Sequence, residues 1–89
     1  MSEREDTLLE FPCEFPIKMM GRDQASFRDA AISLIEEHAG KLPEDAISMS
    51  SSRKGNFVSI TVTITAKSQQ QLDNIYQALT DHEEILVAL

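Results

Sequence analysis

The sequence predicts an α+β domain whose elements follow the order β-α-β-β-α-β, with one four-stranded antiparallel sheet and two helices on one of its faces. Three observations carry this. Residues 57–66, FVSITVTITA, alternate apolar Val58, Ile60, Val62 and Ile64 with polar Ser59, Thr61, Thr63 and Thr65, a period of two that a half-buried strand satisfies. Leu72, Ile75, Tyr76 and Leu79 stand at i, i+3, i+4 and i+7 behind a Ser68-to-Gln71 capping box, the pattern of an amphipathic helix with a defined start. At 89 residues the chain allows one domain, which buries somewhat over roughly 60% of its unfolded surface in one modest core.

The elements follow in order. Residues 1–12 are expected to form a flexible tail, with Leu8, Leu9 and Phe11 as a short segment packed before Pro12, and residues 13–89 the single domain. In the first strand, Glu14 to Met20, Phe15, Ile17 and Met19 alternate with Pro16, Lys18 and Met20; Pro16 is tolerable only near the start. Gly21 is expected to break this strand. Asp23 or Ser26 can cap a first helix whose apolar face is Phe27, Ala30, Ala31, Leu34, Ile35 and His38, ending near Ala39 at Gly40 before Pro43. A second strand is expected from Ala46 to Arg53, and a tight turn at Lys54 to Asn56 joins it to the third, because Gly55 and Asn56 accept positive φ cheaply. The second helix follows Ser68, Asp81 to Glu84 form an acidic loop, and Ile85 to Leu89, ILVAL, is the fourth strand. With right-handed crossovers this order interlocks into a ferredoxin-like arrangement, strands one and three central and strands two and four at the edges. Val58, Ile60, Val62 and Ile64 then face the helices, and Phe57, Ser59, Thr61, Thr63 and Thr65 line an open face.

Composition narrows the partners. Fifteen acidic against eight basic residues give a net charge of -7, which repels phosphate backbones and anionic membranes, so neither nucleic acid nor a membrane is expected. The lone Cys13 has no partner for an internal disulfide, and MSEREDT lacks the layout of a signal peptide. The longest apolar run, ILVAL, is far short of the ~20 residues that span a bilayer. A soluble cytoplasmic protein is the expectation.

The segments LLEFPCEFPIKMMG (8–21) and SRKGNFVSITVTITA (52–66), together with Gln71, Tyr76 and Leu89, resemble the YbeD-like family of small bacterial proteins of unassigned function. The resemblance covers most of the chain outside residues 1–7. It implies a ferredoxin-like fold close to the ACT domains, which bind amino acids or other small metabolites and control enzymes, usually as dimers. The family has no established catalytic residues, so none is carried over. Here Arg53 stands where a second serine is common and Phe57 where tyrosine is common.

Two segments are candidates for ligand binding. Arg53, Lys54, Gly55 and Asn56 put two cations and exposed amides at one tip that can receive a carboxylate or phosphate; the alternative is a hairpin turn kept soluble by charge. Gly21, Arg22 and Asp23 stand at the start of the first helix, where free amides favour an anion and where the ACT resemblance would place a ligand. The alternative is a glycine supplying the φ of a sharp turn. Cys13, with no histidine nearby in sequence, is not expected to be a nucleophile. His38 is read as a packing residue, His82 as solvated, and Glu36-Glu37 and Glu83-Glu84 as solvated faces. No catalytic residue, metal site or cofactor is assigned.

The resulting expectation is a non-enzymatic regulatory or adaptor domain whose candidate partners are a small-molecule effector and a partner protein, with weak homodimerisation through the second strand, AISMSSSR. An enzyme with a site on the hydroxyl-lined open face is the competing class, although those hydroxyls lack an activating base. A purely structural partner subunit is the third.

Overall fold

Alternation in the strands and three-to-four spacing in the helices produce the elements of the computed structural model, in which the structure describes residues 10–51 and 55–89. β1 (Cys13–Arg22) leads to α1 (Ala25–Ala39), and a 3₁₀ turn at Glu44–Ala46 precedes β2 (Ile47–Ser51). β3 (Phe57–Ala66), α2 (Gln69–Asp81) and β4 (Val87–Ala88) complete the order. The strands pair antiparallel in the order β2-β3-β1-β4, so β1 and β3 are central and the fold is the ferredoxin-like α+β arrangement expected.

β1 and β3 pair without a bulge from Cys13 opposite Ala66 to Arg22 opposite Phe57. Ile17 and Met19 of β1 and Val58, Ile60, Val62, Ile64 and Ala66 of β3 turn to the helices and are buried. They join Phe27, Ala31 and Ile35 of α1 and Leu72, Ile75 and Leu79 of α2 in one cluster. Each large side chain buried there is worth about 1.5–3 kcal/mol over its exposed state. Ser59, Thr61 and Thr63 on the other face stay half-buried and Thr65 exposed.

Main-chain bonding fixes the direction of every strand group. Lys18 exchanges both bonds with Leu89, at 3.1 and 2.8 Å, so its N–H and C=O face β4. Successive residues of a strand alternate sides, so Ile17 and Met19 face β3, and Ser59 and Thr61 of β3 face β2. Opposite them stand Ser50 and Ser48, whose groups point inward, leaving those of Ile47, Met49 and Ser51 on the outer edge. The same alternation explains Pro16. Its missing N–H would point to the β4 side, past the last β4 bond at Leu89, so a proline in a central strand costs no ladder bond.

Several boundaries differ from the sequence expectation. β1 runs through Gly21 to Arg22 because Gly21 keeps an extended backbone. α1 begins after Gln24, with no side-chain cap; Asp23 and Ser26 are engaged elsewhere. β2 is confined to Ile47–Ser51 because the 3₁₀ turn takes Ala46, with the Ile47 N–H bonded to the Glu44 carbonyl; residues 52–53 of the expected strand, like Leu8, Leu9 and the Lys54 end of the turn, lie outside the described residues. β4 shrinks to Val87–Ala88, although Leu86 N–H still bonds the Met20 carbonyl at 2.9 Å. Asp81 belongs to α2 rather than to the loop. Gly40 does close α1, at φ 85°, its N–H on the Glu36 carbonyl.

The Ser68 cap is as expected, its Oγ accepting from Gln71 N–H at 3.0 Å. The return arm is displaced by one residue, since Gln71 Oε1 accepts from the Lys67 N–H at 2.7 Å. The Gln71 amide nitrogen then donates to the His38 carbonyl in the last turn of α1 at 2.9 Å. Phe11 packs against the core.

Tyr76 ties α2 to the sheet. Its ring meets Phe15 edge-on, with centroids 6.4 Å apart, and its hydroxyl donates to the Leu89 main-chain oxygen at 2.7 Å. Burial raises this phenol above its ordinary pKa of 10.0. A folded-state value above the unfolded one means the proton favours the folded form, so this contribution is complete below pH 10 and is lost as pH rises through the folded value. Tyr76 is the chain's one tyrosine, so absorbance titration should show an elevated midpoint that falls on unfolding. Tyr76→Phe should flatten the alkaline loss of stability in denaturant titrations at successive pH values.

Candidate functional site

The two segments singled out in the sequence meet at one end of the sheet. The β1–β3 register continues past Arg22 and Phe57, and Asp23 N–H donates to the Asn56 carbonyl at 3.1 Å. Gly55 in the hairpin has φ 73°, the left-handed conformation that its turn required. Arg53 and Lys54 lie outside the described residues. Of the predicted residues, Gly21, Arg22, Asp23, Gly55 and Asn56 are thus brought to one corner.

Their roles separate once they are there. Gly21 is buried and has no positive φ, so it does not supply a turn. A Cβ there would run into Phe27 Cδ1 and lie 2.7 Å from the Glu84 carbonyl oxygen, so the position is held by close packing. Asp23 accepts from Arg28 Nη1 at 2.9 Å and braces the entry to α1. Arg22 is exposed and forms no ion pair among the described residues. Its guanidinium stands 5.9 Å from the centroid of the Phe57 ring, a cation–π contact that limits its wandering.

The α2–β4 connection closes the corner. Glu84 Oε1 accepts from Gln24 Nε2 at 2.9 Å and from Ser26 Oγ at 3.1 Å, placing a carboxylate beside the start of α1, where the helix dipole favours one. Its N–H donates to His82 Nδ1 at 3.1 Å. His82 and Glu84, read from sequence as solvated, are therefore half-buried structural groups; Glu36 likewise accepts from Leu42 N–H at 3.1 Å. Arg22, Gln24, Glu83, Glu84 and Leu86 line a cavity of about 240 Å³. Gln24, Glu84 and Leu86 escaped the sequence reading because a contact 60 residues long leaves no local signal.

Chemically, the corner offers a guanidinium whose donors have no hydrogen-bond partner among the described residues and a carboxylate that already accepts from Gln24 and Ser26. It can pair with one carboxylate or phosphate through Arg22. His38 is half-buried, its Nδ1 3.0 Å from the Leu34 carbonyl, and Cys13 is a half-buried free thiol at the other end of β1. Among the described residues no group of three or more His, Cys, Asp or Glu is gathered to hold a metal, and no helix is long and apolar enough to cross a membrane. A larger cavity, about 450 Å³, lies at that other end, between the segment after α1 and the ends of β1 and β3. Lys41 and Lys67 there are balanced by Glu14 and Asp45.

The family described as protein of unknown function (DUF493) matches residues 6–89, and the chain belongs to it, the YbeD-like family that residues 8–21 and 52–66 resemble. A UPF0250 protein of Nitrosomonas europaea is 41% identical over 96% of this chain and 98% of its own length. One of Neisseria gonorrhoeae is 42% identical over the whole of both chains. The solution structure of protein HP0495 from H. pylori matches with a TM-score of 0.68 and 15% identity, over 100% of this chain and 93% of that one; this is a likeness of fold.

Close packing at Gly21 and left-handed backbone at Gly55 predict two different costs. Gly21→Ala should destabilise by about 1–3 kcal/mol, because Phe27 or the Glu84 backbone must move to admit the methyl group. Gly55→Val should cost roughly 1 kcal/mol or more through φ alone. Urea midpoints measure both, and a Gly21→Ala chain that unfolds at the wild-type midpoint contradicts the packing.

Proposed function

We propose that this domain is a non-enzymatic regulatory or adaptor module of the cytoplasm, which takes a small metabolite bearing a carboxylate or phosphate at the Arg22 corner and presents the occupied corner to a partner protein. The observation that carries this reading is the convergence of three connections on one cation that forms no ion pair among the described residues. The β1–α1 turn, Asn56 and Phe57 at the start of β3, and the α2–β4 turn meet around Arg22, while Arg28, in the first turn of α1, is neutralised by Asp23. A ligand held there touches the β1–α1 and α2–β4 turns, which line the cavity, so occupancy tightens the beginning and the end of the domain together.

Charge at the corner sets the expected strength. Glu83 and Glu84 share the cavity with Arg22 and repel an incoming anion, so binding is weak unless the ligand also carries a donor for one of these carboxylates. Metabolites with both an ammonium or hydroxyl group and an acidic group suit the lining best.

Thermal-shift screening against amino acids, hydroxy acids and phosphorylated metabolites identifies the ligand, because a molecule that binds only the native state raises the melting temperature. Calorimetric titration with that ligand then tests the corner. Arg22→Ala should weaken binding by about 1.5–3 kcal/mol, the worth of hydrogen bonds to a charged group, and lower the unliganded melting temperature only slightly, through the lost contact with the Phe57 ring. An affinity equal to wild type removes Arg22 from the site.

A further inference from the structure

We infer that two copies of this chain pair edge to edge through β2, with Met49 of each on a two-fold axis, and so continue the sheet across the pair. Strand direction supplies the first reason. Ser48 and Ser50 spend their main-chain groups on β3, while the N–H and C=O of Met49 and Ser51 point outward, where no described residue takes them up. Ile47 turns the same way, but its N–H is taken by the Glu44 carbonyl, leaving its C=O free. Antiparallel pairing about Met49 satisfies this set except for the Ser51 carbonyl, whose counterpart, the Ile47 N–H of the other copy, is already bonded. The two Met49 residues exchange two bonds, and at each flank a Ser51 N–H meets the Ile47 carbonyl of the other copy.

Side chains supply the second reason. Met49 stands opposite buried Ile60, so it lies on the helix side of the sheet, yet it remains 55% exposed. Residues directly opposite across a pair share a face, so the axis would bring the two thioethers together and cover both. In a chain of which 26% is charged, ISMSS carries neither the lysine, the proline nor the bulge by which edge strands usually refuse a partner. The other edge is guarded: β4 is two residues long, and beyond it Pro16 offers no donor.

A second copy fits this edge better than a foreign strand because the unpaired groups are self-complementary about a two-fold axis. Each copy carries -7, so the pair should be loose at low ionic strength and tighten as salt screens the repulsion. This inference is independent of the Arg22 corner, and neither depends on the other's test.

Sedimentation equilibrium of the full chain over a range of protein and salt concentrations tests it. The wild type should form a reversible dimer whose fraction rises with both, and Met49→Lys should remain monomeric with an unchanged melting temperature. Met49→Pro should also be monomeric, because its lost N–H lies on the outer edge, whereas Ser50→Pro should lower the melting temperature by breaking a bond to β3. A wild type that stays monomeric up to millimolar concentration at high salt overturns the inference, as does a Met49→Lys chain that dimerises like wild type.

Discussion

Everything in this domain is referred to the pairing of β1 with β3. Ten residues of each strand stand in unbroken antiparallel register, and because the register has no bulge, one bonded pair at Lys18 and Leu89 determines the orientation of every main-chain group from the hairpin to the far end. The same register sends Ile17, Met19, Ile60 and Val62 to one side and Lys18, Met20, Ser59 and Thr61 to the other. The core, the open face and the two edges are therefore consequences of one ladder. A slip of a single residue would exchange buried and exposed sets throughout.

Legibility in the sequence followed the range of the interaction involved. The β3 alternation, the α2 stripe, the Ser68 cap and Gly40 were readable because each depends on residues a few positions apart. The element order followed from these, and the family from the resemblance carried by residues 8–21 and 52–66. Gly21 was misread, since a glycine that ends a strand and one that admits a phenyl ring look alike until Phe27 and Glu84 are placed. The start of α1 was misjudged for a related reason: Asp23 has Arg28 as a partner and Ser26 has Glu84, so neither is free to cap. β2 and β4 are short because a 3₁₀ turn and a tertiary contact delimit them, and neither appears in strand propensity. At the candidate corner Arg22, Asp23, Gly55 and Asn56 were found from local chemistry; Gln24 and Glu84 were not, because they are joined across the length of the domain.

Net charge of -7 is distributed by layer. Asp29, Glu36 and Glu37 of α1 and Asp73 and Asp81 of α2, with Glu83 and Glu84 after them, put the acidity on the helices and their connection. The open face carries Lys18 and Arg22 against Glu14. A cation can therefore stay accessible at the sheet end of an acidic chain, and only the adjoining α2–β4 turn brings carboxylates near it. Four of the exposed large apolar side chains, Met20, Phe57, Val87 and Leu89, share that less acidic side.

The side chain of Gln71 reaches both helices at the end remote from the corner. Its oxygen settles a main-chain donor at the approach to α2, and its nitrogen settles one of the carbonyls that the last turn of α1 would otherwise leave bare. Fraying at either terminus therefore costs the other a bond. The two crossover segments, though they come from different halves of the chain, are thus tied at their outermost turns by one side chain, so local opening of either is coupled to the other, and the structure has a seam there instead of two loose tips.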